Sequence, residues 1–196
     1  MDMETGEKDE TGDRILDAGL ELFSRRGYEG TGIQEIAAAA GITKPSLYYH
    51  FGSKQGLLEA IVRVFGRKYL DTLTEAALYR HDLVMNLRAL LRNTLSFAGA
   101  NPRFFRLLTS LFSAAPETVP YAAGKDLRAA LTGVLTELFA AASADHGNMK
   151  NRQFIYGEAF FALLQNNAIL SLNGNLTIHE PLLIQIIHQF MHGIFS

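Results

Sequence analysis

Apolar residues recur along most of this chain at intervals of three and four, the spacing that places them on one side of an α-helix. Few stretches alternate with the period of two that a half-buried strand requires, and alanine and leucine, which favour helices, are abundant. Glycine, proline and asparagine interrupt the pattern between the apolar runs. The chain is therefore predicted to be all-α, with helices at about 13–26, 32–40, 44–51, 54–79, 82–99, 102–114, 117–144, 149–172 and 178–195.

The second and third predicted helices carry the spacing of a helix-turn-helix. Ala37 is small at the point where two steeply crossing helices approach, and Gly41 can adopt the left-handed backbone that the turn between them requires. Ile36, Ile42 and Leu47 supply apolar side chains that would pack this junction against the first helix. The second helix of such a motif can lie in the major groove of DNA. Taken alone, the pattern also fits an ordinary helical hairpin in an all-α core.

The positions of the third helix that packing does not use carry hydrogen-bonding side chains and no acid, as expected of a surface that faces phosphates. Lys44 can reach a guanine edge, and a threonine or tyrosine can contact a phosphate or a thymine methyl group. Lys54 would add its charge to the free amides at the start of the fourth helix. The outward residues of the third helix are Thr43, Lys44, Ser46, Tyr48, Tyr49 and His50.

The run from Ile15 to Ile61, about a quarter of the chain, resembles the DNA-binding domain of the TetR (tetracycline repressor) family. The resemblance rests on Phe23, Gly27, Tyr28 and Leu57, together with the stretches TGIQEIA (residues 31–37) and AGITKPSLYYHFGSK (residues 40–54). It implies an all-α homodimer that represses bacterial transcription until a small molecule binds its larger domain.

The resemblance also implies roles for single residues. Tyr48 would help to read bases, whereas the backbone phosphates would be held by Thr31, Thr43, Tyr49, His50 and Lys54. The family often has glycine or alanine where Pro45 stands. Because the proline removes one amide donor from the helix start, base contacts at this position are expected to differ.

Charge and composition then define the expected domains. Residues 1–12 hold five acids and one base and are predicted to form a disordered acidic tail. Residues 13–53 are the predicted helix-turn-helix domain. Because five acids balance five bases from Asp13 to Lys54, a nucleic-acid surface there must be a local arrangement. Residues 54–196 are the predicted regulatory, ligand-binding and dimerisation domain.

The end of the chain is almost without charge. After Arg152 only Glu158 and Glu180 are charged, although a solvated helix normally carries more. We therefore expect the last two helices to form a four-helix bundle with a second copy of the chain, although a buried pair within a monomer would also explain the pattern. The predicted interface residues are Phe154, Phe161, Gln165, Ala168, Gln185, His188, Gln189 and His192.

Aromatic residues are frequent in the middle helices. They can be interpreted either as packing of the core or as the lining of a pocket for a small apolar or aromatic effector. The candidate ligand-binding residues are Phe65, Tyr69, Asn93, Phe97, Arg106, Ser110, Tyr121 and Asn166.

Other function classes lack support in the sequence. With no cysteine there is no disulfide or thiolate site, and no nucleophile–base pair, HExxH motif or glycine-rich phosphate loop indicates an enzyme. His188 and His192 have a spacing that can hold zinc, but no third ligand is visible, so neither a metal nor a cofactor is expected.

No apolar run spans a bilayer and the acidic start is unlike a signal peptide, which predicts a cytoplasmic protein without a membrane partner. The alternative that stays open is a helical ligand-binding or scaffold protein that does not bind DNA.

Overall fold

A computed structural model describes residues 2–146 and 149–193, with side chains from residue 10 onward. These residues contain nine α-helices and no strand, which confirms the all-α prediction. The helices are α1 (Asp2–Arg26), α2 (Ile33–Ala39), α3 (Lys44–Phe51), α4 (Lys54–Ala76), α5 (Leu83–Ala100), α6 (Pro102–Phe112), α7 (Val119–Ala142), α8 (Gln153–Leu172) and α9 (Glu180–His192). The end of the predicted ninth helix, residues 194 and 195, lies outside the described residues.

Helix α1 begins at Asp2, within the stretch for which the sequence predicted a disordered tail. The tail contains no proline, which would interrupt a helix. The predicted helix start near Asp13 is therefore replaced by a continuous helix.

The helix-turn-helix forms as the local pattern predicted. Gly41 has φ of 65°, the left-handed conformation expected of the turn between α2 and α3. The Arg14 guanidinium on α1 donates hydrogen bonds to the carbonyls of Ala40 and Gly41, which ties the turn to the first helix. Thr43 is the N-cap of α3, and its hydroxyl accepts a hydrogen bond of 3.4 Å from the amide of Ser46.

The chain divides by packing into two compact units. Unit 1 comprises residues 1–67 and 103–126, and its buried core combines Phe23 of α1 and Leu47 of α3 with Ile61 of α4 and Phe105 of α6. Gly19 permits α1 to approach α4, because a Cβ at this position would lie 2.8 Å from Leu57 Cδ2. The start of α4 thus belongs to the compact unit of the helix-turn-helix, so the division by packing differs from the predicted boundary at residue 53.

Unit 2 comprises residues 68–102 and 127–196, and its central element is α5, which packs against both α8 and α9. Its buried apolar side chains come from every helix of the unit: Tyr69, Leu73, Leu87, Leu90, Leu91, Leu135, Phe139, Phe160, Leu164, Leu183 and Ile187. Among the described residues, no helix is long and apolar enough to cross a membrane.

Candidate nucleic-acid interface and ligand site

Helix α3 presents most of the predicted DNA-binding residues to solvent. Thr43, Lys44 and Pro45 are exposed at its start, and Tyr48 and Tyr49 retain 41% and 71% of their accessible surface. Leu47, between them, is completely buried and fixes the helix to unit 1. Ser46 and His50 are half-buried. The exposed face carries one lysine, two phenols and no acid, which suits contact with a polyanion.

Thr31 does not fit the predicted phosphate contact. Its side chain is only 2% exposed, and its hydroxyl donates a hydrogen bond of 2.9 Å to the Gly27 carbonyl. The N-cap of α2 is Gly32 rather than Thr31, and the amide of Gly32 donates to Glu35 Oε2 at 2.9 Å. The hydroxyl of Thr31 therefore holds the turn after α1 and is turned away from solvent.

Two lysines of unit 1 lie over tyrosine rings. Lys54 Nζ is 4.0 Å from the ring centroid of Tyr28, and Lys44 Nζ is 5.7 Å from that of Tyr48. Such contacts hold the ammonium group while leaving its charge in place. Burial, followed by the nearby charges of Glu29 and Glu59, raises the pKa of Tyr28, so this ring stays neutral at physiological pH. Tyr28 was not among the predicted site residues, because its role depends on a contact with a residue far along the chain.

The negative charge of Glu35, the single acidic residue of α2, is balanced by Arg26. Glu35 accepts hydrogen bonds from the amide of Gly32 and, at 2.7 Å, from Arg26 Nη1. The bond from the Gly32 amide, and then Arg26, hold the pKa of this carboxyl below its usual range. The carboxylate is thus ionised and already paired beside the candidate interface.

The predicted ligand-binding residues do not form one group. Phe65, Arg106, Ser110 and Tyr121 belong to unit 1, whereas Tyr69, Asn93, Phe97 and Asn166 belong to unit 2. Arg106, Ser110, Tyr121 and Asn166 are exposed. Phe65 stacks on Phe104 with ring centroids 5.3 Å apart, in the ordinary manner of core packing.

Tyr69 is the buried polar group of this set. It stacks on Phe97 at 4.8 Å, and its hydroxyl lies 3.2 Å from Thr94 Oγ1. Burial raises the pKa of Tyr69, so the phenol remains protonated. A buried, hydrogen-bonded phenol that stacks on a phenylalanine ring is typical of a well-packed core, and it does not by itself indicate a ligand.

Unit 2 instead contains two adjoining pockets that the sequence did not predict. The first, of about 250 Å³, is lined by Leu83, Leu87, Phe139, His146, Met149, Tyr156, Phe190, Met191 and His192. The second, of about 260 Å³, is lined by Val84, Arg88, Ile184, Ile187, His188, Met191 and His192. Met191 and His192 line both. We call the first the aromatic pocket and the second the arginine groove. The sequence feature that could have indicated them is the concentration of aromatic, methionine and histidine residues near helix ends.

The predicted dimer residues fall into two groups. On α9, Gln185, His188, Gln189 and His192 are exposed, and on α8 Phe154 is 63% exposed. Phe161 and Ala168 were predicted wrongly, since they are 4% and 0% exposed within a single chain. They are covered within their own chain because α8 packs closely on α5. Gln165 is half-buried.

The two histidines at the end of α9 are close together, with ring centroids 4.5 Å apart. Among the described residues, no group of three or more histidine, aspartate or glutamate side chains could hold a metal ion.

Comparisons with known proteins agree with this geometry. The family model for bacterial regulatory proteins of the tetR family matches residues 15–61. The chain is 28% identical over 189 residues to the HTH-type transcriptional activator FasR of Mycolicibacterium smegmatis, covering 96% of this chain and 84% of that protein. It is 47% identical over 51 residues to the biofilm operon icaADBC HTH-type negative transcriptional regulator IcaR of Staphylococcus aureus, covering 26% of this chain and 27% of that one.

The likeness in fold extends over nearly the whole chain. The transcriptional regulator FadR from Bacillus subtilis, solved in complex with stearoyl-CoA, superposes with a TM-score of 0.75 at 15% identity. The match covers 92% of this chain and 98% of that structure. Residues 15–61 thus match the family of tetR-type bacterial regulatory proteins, and the chain as a whole shares the all-helical fold of the stearoyl-CoA-bound regulator.

Proposed function

We propose that the protein is a ligand-responsive transcriptional regulator that binds operator DNA as a homodimer. The observation that carries this proposal is the exposed face of α3, where Lys44, Tyr48 and Tyr49 stand without an acid on a helix-turn-helix. An acid-free, hydrogen-bonding face on the second helix of this motif is suited to the major groove.

Within the groove the two tyrosines have different tasks. Neighbouring positions on a helix differ by about 100°, so Tyr48 and Tyr49 cannot face the same part of a duplex. We assign Tyr48 to base edges, with Lys44 beside it. Tyr49, His50, Thr43 and Lys54 are assigned to phosphates, which position the protein without reading sequence. Thr31 is omitted from this set because its hydroxyl is buried.

A salt titration of duplex binding tests this assignment against the scaffold alternative. A regulator that neutralises phosphates loses affinity steeply as salt rises, because counterions are released. A scaffold protein would show no duplex binding at any salt concentration. Operator fragments selected from random sequence supply the specific duplex, and a scrambled fragment supplies the nonspecific one.

Tyr48→Ala is the matched test of base reading. The ratio of operator to scrambled-duplex affinity should fall about tenfold, since losing a base contact costs discrimination, while scrambled-duplex affinity changes little. Tyr121→Ala removes a similarly exposed tyrosine from the start of α7 and is the control. An unchanged ratio in Tyr48→Ala would remove the recognition helix from the proposal.

Dimerisation is proposed through the uncharged side of α9 that carries Gln185 and Gln189, with exposed positions of α8. For two α3 helices to enter successive major grooves, the dimer must hold them about 34 Å apart. The double variant Gln185→Glu/Gln189→Glu places four carboxylates at the two-fold interface. It should shift sedimentation velocity from dimer to monomer, whereas Met85→Glu, at an exposed site on α5, should not. A double variant that remained fully dimeric would exclude this interface.

Regulation by a small molecule completes the proposal. The Bacillus subtilis regulator of similar fold was solved with stearoyl-CoA, so an acyl-CoA is one candidate effector and a smaller apolar or aromatic compound is the other. We propose repression in the cytoplasm, where an occupied operator blocks transcription until the effector shifts the dimer to a form that cannot bind. The relatives are named as an activator and as a negative regulator, so transcription from an operator-containing promoter, with and without the protein, tests the direction.

A further inference from the structure

We infer that the aromatic pocket and the arginine groove of unit 2 form one site for a compact aromatic carboxylate, with the ring in the pocket and the carboxylate in the groove. The inference goes beyond the proposed function by naming the site and the ligand class. The assignment of this site to the effector rests on the proposed function, whereas binding of the carboxylate to the site does not depend on DNA.

The aromatic pocket provides the place for a ring. Phe139 lies 5.6 Å from Tyr156 and 6.2 Å from Phe190, measured between ring centroids, so three rings converge on one space. Leu83, Leu87 and Phe139 close its inner wall and are 3%, 0% and 1% exposed. Protein interiors rarely leave space of this size unfilled, and an apolar cavity of about 150 Å³ holds a benzene molecule. A pocket of about 250 Å³ therefore suits a fused two-ring system.

The arginine groove provides a cationic end. Arg88 and Arg92 both donate to one carboxylate, that of Glu180, so the cluster retains a net positive charge. The Nε–H of Arg88 is buried and has no acceptor among the described residues. A buried donor without an acceptor is costly, and a carboxylate accepting from it would remove that cost. His188 and His192 line the same groove and no acid does.

The two spaces are close enough for one small molecule because Met191 and His192 line both. Flexible thioethers at Met149 and Met191 suit the edge of a bound aromatic ring. The groove also lies on the side of α9 that carries Ile184 and Met191. Ile184 and Met191 lie at least about 100° around the helix from Gln185 and Gln189, which we assign to the dimer interface, whereas His188 and His192 lie between the two sides.

The test uses the full-length protein and three probes: 2-naphthoate, its neutral analogue 2-naphthamide, and the linear decanoate. Isothermal titration calorimetry should give 2-naphthoate a Kd of about 1 mM or lower, as expected for a ligand of this size. Both 2-naphthamide and decanoate should bind at least about tenfold more weakly, because one lacks the charge and the other the ring. Failure of 2-naphthoate to bind, or tighter binding of decanoate, would overturn the inference.

Two pairs of variants locate the bound probe. Met191→Trp fills the shared wall and should abolish 2-naphthoate binding, whereas Met85→Trp, on the exposed side of α5, should leave it unchanged. Arg88→Met keeps the apolar stem and should weaken 2-naphthoate about tenfold without affecting 2-naphthamide. Arg92→Met also removes a partner of Glu180 but lies outside the groove lining, so it should have little effect. Equal losses in Arg88→Met and Arg92→Met would show that the effect is structural and would overturn the assigned contact.

A parallel measurement of operator binding separates the two proposals. If 2-naphthoate binds and follows the variants but leaves operator affinity unchanged, the site stands and its effector role fails. If operator binding is confirmed but 2-naphthoate does not bind, the site fails and the DNA-binding regulator remains.

Discussion

Positively charged side chains lie in two different settings in the two regions that the proposals concern, the helix-turn-helix of unit 1 and the arginine groove of unit 2. In unit 1, Lys44 and Lys54 lie over tyrosine rings and make no ion pair within the described part of the chain. In unit 2, Arg88 and Arg92 share the carboxylate of Glu180. An aromatic ring positions a cation without neutralising it, whereas a carboxylate does both. The first setting leaves full charges for a polyanion, and the second leaves one net charge for a small anion.

Lys54→Ala should give the largest effect that separates the two settings. Removing one phosphate contact should weaken binding to every duplex about tenfold at low salt and reduce the salt slope by about 1. Arg92→Ala removes the same charge from the region where it is already paired, and should leave duplex binding unchanged. Fluorescence anisotropy across a salt series measures both quantities. Equal losses in the two variants would mean that net charge, rather than the placement of Lys54, governs the affinity.

The contrast also explains what could be predicted from the sequence. The helix-turn-helix depends on neighbours within one short stretch, so Ala37 and Gly41 were sufficient to predict its turn. Thr31 was misplaced because its acceptor is the carbonyl of Gly27, and its burial depends on how the turn after α1 folds back.

The ligand region could not be predicted in the same way. Its aromatic pocket is lined by residues of four helices, among them Leu83 of α5, Phe139 of α7, Tyr156 of α8 and Phe190 of α9. Which side of each helix faces the others is decided by packing between elements distant in sequence, and helical periodicity leaves that rotation open. The predicted ligand residues were therefore placed on plausible helices but were not brought together.

Tyr28 offers a smaller test of how an aromatic ring positions charge. Tyr28→Leu removes the ring beneath Lys54 and should weaken binding to all duplexes about threefold, the effect expected of an exposed cation–π contact. Tyr28→Phe keeps the ring and should bind like the parent. In the Lys54→Ala background the leucine change should have no further effect on affinity, which a double-mutant cycle detects. If the loss persists in that background, Tyr28 acts through the packing of unit 1 and not through Lys54.

The smallest effect is expected from Glu180, and its pH dependence has a definite sign. Hydrogen bonds from Arg88, and then Arg92, hold the pKa of Glu180 below its usual range. A carboxyl with a lower pKa when folded stabilises the protein fully above its unfolded pKa, about 4.3, and loses that contribution as the pH falls through the folded value. Glu180→Gln removes the carboxylate and leaves two guanidinium groups facing an amide. Its melting temperature should therefore lie slightly below that of the parent at pH 7, as expected of an exposed ion pair.

The difference in melting temperature between parent and Glu180→Gln should stay constant down to about pH 5 and shrink toward zero below about pH 4. Glu137→Gln, at an exposed position of α7, makes the same chemical change where the described residues show no ion pair, and should show no such convergence. A difference for Glu180→Gln that persisted undiminished in acid would mean that the carboxylate charge is not what joins α9 to α5. In that case Arg88 and Arg92 would have no shared counter-charge in solution, and the arginine groove would be more cationic than the contrast with unit 1 assumes.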